Sequence, residues 1–171
     1  VTVTLSVTDT ASGPAATYYR LDDGAWTAGV SLLVSGEASH SLRFYSTDRA
    51  GNAETPRLVN INIDATAPSP PYNLAADPYR RWTNTDAFTV TWSSLADVSG
   101  IGGAYYKLNG EPSFNTDGTF LPSTANVITN VKTLEEGKHT IYLWLRDRAG
   151  NTNYQTRNVL SEALWLDITP Q

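Results

Sequence analysis

One pentapeptide is spelled twice in this chain, as Asp48-Arg49-Ala50-Gly51-Asn52 and as Asp147-Arg148-Ala149-Gly150-Asn151. A carboxylate, a guanidinium and an amide around a glycine are the groups of a metal loop, an anion cradle or a catalytic corner. Calcium takes six or more oxygen ligands, and one Asp with one Asn supply too few. A turn uses the same residues fully. Asp48 and Asp147 can accept hydrogen bonds from N–H groups two or three residues on. Gly51 and Gly150 take positive φ at little steric cost, and Asn52 and Asn151 tolerate left-handed or bridging backbone. The pentapeptide is therefore read as a structural turn, with Arg49 in solvent.

The other reactive side chains point the same way. Asp64, Asp77 and Asp97 lie near a proline-rich stretch, but their spacing is neither that of an EF-hand nor that of a tight acidic cluster. Asp64 and Asp167 hold equivalent positions at strand ends, where a carboxylate caps the following turn. His40 and His139 are also equivalent, and a residue duplicated with its whole surroundings is read as structural. Glu135 and Glu136 open a tight turn. There is no Gly-x-Ser-x-Gly, no His-x-x-x-His and no phosphate-binding glycine loop. With no Cys there is no disulfide and no thiolate ligand or nucleophile. The expectation is a protein with no catalytic residues, no cofactor and no metal.

These residues sit in a longer repeat. Residues 1–21 align without a gap on residues 88–108, so that Thr2-Val3-Thr4, Ser12-Gly13 and Tyr18-Tyr19 return as Thr89-Val90-Thr91, Ser99-Gly100 and Tyr105-Tyr106. "SHSLRFYSTDRAGN" from Ser39 matches "KHTIYLWLRDRAGN" from Lys138, and "INIDATAP" from Ile61 matches "LWLDITPQ" from Leu164. Three ordered blocks mean two homologous domains, expected over residues 1–66 and 67–171. The widening offset puts an insertion in the second copy, around "EPSFNTDGTFLPSTAN". The second copy also has a stretch, "PYNLAADPYRRWTNTD", whose counterpart would precede Val1. The first domain is thus expected to lack its first strand. A chain of 171 residues with no Met is expected to be a processed product or a piece of something longer.

Alternation dominates the blocks. Phe88, Val90 and Trp92 share one face, with Thr89 and Thr91 on the other, as a half-buried strand requires; Val1, Val3, Leu5 and Val7 do the same. Gly, Asn, Asp and Pro punctuate such runs, and no long stretch has three-four apolar spacing. The pattern predicts an all-β protein of two tandem immunoglobulin-like antiparallel β-sandwiches, the first lacking its first strand. Residues 64–72 read as a short semi-rigid spacer. A formal charge of -5, with no basic stripe, points away from nucleic acid. No apolar run approaches the ~20 residues of a membrane helix, so no membrane insertion is expected.

Tyr-Tyr-Arg-Leu-Asp-Asp-Gly-Ala-Trp (residues 18–26), the DRAGN turn and "IDATAP" together resemble the bacterial extracellular immunoglobulin-like repeats. The second copy, with "NLAADP" leading into "FTVTW" and closing in "LWLDITP", is also similar to fibronectin type III domains. The resemblance implies a non-catalytic spacer or accessory module of a larger secreted or cell-surface protein, with flanking domains of the same chain as its neighbours. Two other readings come from the residues. If Ile141, Leu143 and Leu145 face inward, Tyr142 and Trp144 face outward. Trp165 and Tyr105 join them on what is expected to be an exposed aromatic sheet, fit for stacking on a glycan or for a cell-surface protein contact. The missing strand, in turn, would leave an edge for a strand from a neighbouring copy in a surface filament.

Overall fold

The structure is a computed structural model in which residues 1–122 and 125–170 are described. The chain divides into two compact units, Val1–Asp64 and Ala65–Gln171. Apart from one 3-10 turn at Tyr154–Thr156, the regular elements among the described residues are strands.

The second unit is the fuller one. Its strands are β7 (Tyr72–Asp77), β8 (Trp82–Thr83), β9 (Phe88–Ser93), β10 (Ile101–Leu108), β11 (Thr119–Leu121), β12 (Val127–Val131), β13 (Gly137–Asp147) and β14 (Asn158–Leu166). They form a three-stranded sheet, β12-β9-β7, and a five-stranded sheet, β11-β10-β13-β14-β8. Every pair is antiparallel except β14 with β8, which run parallel. The alternation explains why the sheets meet face to face. Phe88, Val90 and Trp92 from β9 meet Ile141, Leu143 and Leu145 from β13 and Leu164 and Leu166 from β14 in one buried cluster. Leu74 and Ala76 of β7 pack against it. Each fully buried Val, Leu, Ile or Phe of the cluster contributes about 1.5–3 kcal/mol on leaving water. The register between β13 and β14 shifts between His139 and Ile141, and Glu162, in the extra segment, has φ 44.

The first unit repeats this plan with pieces missing. Its strands are β1 (Thr2–Thr4), β2 (Pro14–Leu21), β3 (Thr27–Ala28), β4 (Ser31–Leu33), β5 (Ala38–Asp48) and β6 (Arg57–Ile63). Their sheets are β1-β4 and β3-β2-β5-β6. The match is β1 to β9, β2 to β10, β4 to β12, β5 to β13 and β6 to β14. Nothing in the unit corresponds to β7 or β8. β5 and β6 pair over seven consecutive positions with no shift in register. Both units are immunoglobulin-like antiparallel sandwiches, and the first lacks its first strand.

The smaller unit has the thinner core. Leu32, Val34 and Leu42 are its buried apolar residues, with Phe44, Ile61 and Ile63 only partly covered. Their counterparts Leu143, Leu164 and Leu166 are fully buried.

Candidate functional site

The repeated turn is built alike in both units. Asn52 donates its backbone N–H to Asp48 Oδ1 and its amide to Asp48 Oδ2, each at 2.8 Å. Asn151 does the same to Asp147, at 2.7 and 2.8 Å, and the Gly150 N–H adds a third bond at 2.6 Å. Gly51 and Gly150 have φ 91 and 102. These bonds hold the Asp48 carboxyl below the ordinary range, the Asn52 amide being the main cause. Arg49 is exposed, as read from sequence, but its backbone has a role the residue types did not disclose. Its N–H donates to Gly13 O at 3.0 Å, and that of Arg148 to Gly100 O at 2.9 Å. The turn is thereby docked on the loop after β1 or β9. That loop is itself closed by an aspartate: Asp9 accepts from Ala11 and Ser12, and Asp97 from Ser99 and Gly100.

Both histidines tie loops. His40 bonds Asp22 Oδ2 at 3.1 Å and donates to Gly36 O at 3.3 Å. The Asp22 partner raises the His40 pKa, and the Ser41 N–H, ahead of His40, lowers that of Asp22. In the second unit Asn109 stands where the first has Asp22. His139 accepts from the Asn109 amide at 3.0 Å and donates to Glu135 O at 2.8 Å. The same corner is thus built once with an ionisable pair and once with an amide.

The outer face of the five-stranded sheet has two halves. In one half Tyr105 and Trp144 are cross-strand neighbours, stacked at 5.5 Å with 10° between their planes. They do point away from the sandwich core, but they are not exposed. Tyr105 is 7% accessible and Trp144 0%, which corrects the expectation of an open face at these two positions. The cause is the insertion. The Trp144 indole N–H donates to Asn115 O at 2.8 Å, and Phe120 lies 4.9 Å from Tyr105. A Cβ on Gly118 would come within 2.7 Å of the Trp144 ring and 2.6 Å of Tyr106 O, so only glycine lets the segment lie so close. Asp117 fixes the insertion by accepting from Lys107 Nζ at 2.9 Å and from the Ser113 N–H and hydroxyl at 2.8 Å. Those bonds, with Lys107 the main cause, take the Asp117 pKa down to about 2.

The other half is open. Tyr142 is half-buried, opposite Lys107 on β10 and Val159 on β14. Trp165 is half-buried, with its ring 5.4 Å from Trp82 at 50° and Lys138 Nζ 4.5 Å above it. Trp82 is 51% accessible. Sequence reading missed Trp82 because parallel pairing of β8 with β14 places it directly opposite Trp165, far along the chain. The first unit carries a smaller version of the covered stack. Tyr18 and Tyr45 stack at 5.2 Å, Trp26 meets Tyr45 edge-on at 4.9 Å, and Arg20 lies 5.3 Å over Trp26.

No family model matches the chain. Halomucin of Haloquadratum walsbyi is 24% identical over 155 residues, covering 89% of this chain. The chain spans 2% of that relative's length. Among solved structures, the fibronectin(III)-like modules of Clostridium thermocellum CbhA align over 94% of this chain and 82% of that chain. Their TM-score is 0.45 and their identity 10%.

Proposed function

We propose that this chain is a non-catalytic tandem spacer from a larger secreted or cell-surface protein. The observation that carries the reading is that the two units repeat their tie points as well as their strands. The same Asp–Asn turn is docked on the same loop, and the same histidine corner ties the residue after β2 or β10 to the start of β5 or β13. In each unit the turn aspartate and the corner histidine hold loops together, one at either end of the sandwich. The likeness to a protein of which the chain spans 2% supports a place in a far longer chain. A spacer must resist extension one unit at a time. Pulled from its ends, the chain is expected to give two separate unfolding steps. At ~3.6 Å per residue the 64 residues of the first unit release about 230 Å and the 107 of the second about 385 Å, before subtraction of the folded span. Extension without two resolved force peaks would overturn the reading.

A second reading is favoured by the open half of the outer face. Trp82 and Trp165 present two tilted indoles with a cation above one of them, a surface suited to sugar rings or to a protein contact. Binding on a glycan array that vanishes in both Trp82→Ala and Trp165→Ala supports it. Binding that is absent, or survives both changes, ends it.

A further inference from the structure

Lys138, Trp165 and Trp82 form a row across three neighbouring strands of the second unit's outer face. Lys138 is the register partner of Trp165, and Trp165 that of Trp82. The Trp165 indole is held in place. Its N–H donates to Glu162 O at 2.6 Å, Lys138 Nζ lies 4.5 Å over the ring, and Trp82 stands 5.4 Å away. Trp82 is 51% accessible, so its ring is the one a ligand meets first. Tyr79 and Arg80 adjoin the row. Tyr79 is equally open, with the Arg80 guanidinium 5.3 Å over its ring, and Arg80 is anchored on Ala163 O and Ser161 O.

The first unit serves as a control. Its matching pair across β5 and β6 is Ser39 and Asn62, so the sandwich closes with neither a ring nor a cation at these positions. Charge and size then narrow the ligand. The chain carries a formal charge of -5, yet Arg80, Arg81 and Lys138 gather at this corner, and among the described residues none of the three is in an ion pair. Of the acids nearby, Glu136 accepts from the Ile168 N–H and the Thr169 hydroxyl, and Asp167 from the Thr169 N–H. The three rings expose about 300 Å² between them, far below the roughly 800 Å² per partner of a stable protein interface. Stacking on sugar rings needs only ring faces. Two strand spacings put Lys138 about 10 Å from Trp82, further than one sugar ring spans.

We propose that the Lys138–Trp165–Trp82 row binds an acidic polysaccharide, a chain of sugar rings that carries carboxylate or sulfate groups. One ring stacks on Trp82, and an acid group on a neighbouring sugar meets Lys138, with Arg81 and Arg80 at the flank. The proposal rests on the reading of the open half-face as a ligand surface and adds the charge and the length of the ligand, which neutral and single-sugar probes test separately.

The probe is an array of uronate-bearing, sulfated and neutral oligosaccharides, each acidic chain printed beside its methyl ester or desulfated form. The full chain is displayed on beads so that weak contacts add. Acidic chains should bind and their neutralised forms should not, and the two acidic arms tell carboxylate from sulfate. A single acidic sugar should fail to compete. Trp82→Ala should abolish binding while the emission of buried Trp144 stays unchanged, which shows the unit still folded. Arg81→Gln with Lys138→Gln should weaken binding about tenfold, and Glu162→Gln should strengthen it. Binding should also fall between about 0.01 and about 0.15 M salt, as the Debye length drops from about 30 to about 8 Å. Equal binding of neutral and acidic chains overturns the proposal and leaves the aromatic surface standing; binding of no glycan overturns both. Binding that survives Trp82→Ala and vanishes in salt is adsorption of a polyanion, and it too overturns the proposal.

Discussion

Trp144→Ala separates a covered outer face from an open one. On an exposed sheet the substitution would cost within about 0.5 kcal/mol, as surface changes do. Here the ring is fully buried, stacked on Tyr105, and its N–H is bonded to Asn115 O. Truncating a buried Trp to Ala costs about 3–5 kcal/mol. Within that, the stack accounts for about 0.5–1.5 kcal/mol and the hydrogen bond for about 1 kcal/mol. For a unit of this size the loss lowers Tm by about 15 °C. Of the five Trp, only Trp26 lies in the first unit, so tryptophan emission during urea or thermal unfolding follows the second. The wild-type spectrum should also contain a blue-shifted component that resists acrylamide and disappears in the variant. A cost below about 1 kcal/mol, or free quenching of that component, would refute the covered face.

Trp92→Phe should behave in the opposite way. The Trp92 indole N–H is buried with no hydrogen-bond partner, so its removal offsets the lost ring area, and the change in stability by urea titration should stay within about 1 kcal/mol. Asp147→Ala strands three N–H donors at a site only 3% accessible and should destabilise the second unit by about 3 kcal/mol by the same titration. The pH response of the first unit follows from His40. Its raised pKa means that its contribution is complete below the unfolded value of 6.5 and is lost as pH rises through the folded value. Asp22, with its pKa lowered, contributes above 3.8 and loses that contribution as pH falls through its folded value. Thermal melts of the first unit should thus weaken as pH rises past 6.5, and His40→Gln should flatten that slope. Gly118→Ala should loosen the insertion, seen as faster acrylamide quenching of Trp144, since the new methyl collides with backbone on one side and indole on the other.

The strands and their inward faces were legible because period-two alternation is a local signal: Phe88, Val90 and Trp92 declare it within five residues. The missing strand was legible because two copies could be laid side by side. The aromatic face was half legible. Alternation fixed which way Tyr105 and Trp144 point, but their cover is an irregular insertion without period. Its path is set by Gly118 and Asp117, residues that read as any turn. Trp82 was hidden for a different reason. A parallel pairing of two residues leaves no pattern in a one-dimensional string, and Trp165 finds its neighbour only in the folded sheet. The carbonyl–amide ties from Arg49 to Gly13 and from Arg148 to Gly100 use backbone groups, which every residue carries and no composition reveals.

The unbroken ladder of β5 with β6 has a consequence for how the two copies behave in a crowded solution. In the second unit the outermost long strand is spoiled as a template for further growth. Its register slips, Glu162 takes a left-handed backbone, and Arg80 caps the irregular stretch by donating to Ala163 O and Ser161 O. β6 has no such blemish. It is flat in register, and Leu58 and Val59 lie open beside its outer row of amides, the profile of an edge that recruits other edges. Only Arg57 and the interleaved asparagines discourage that. Duplication has left two solutions to the same hazard, a distorted strand in one copy and a strand edged with Arg57, Asn60 and Asn62 in the other. Of the two outer long strands described, β6 is the better template for sheet-to-sheet aggregation, and a bulge borrowed from β14 is the natural remedy.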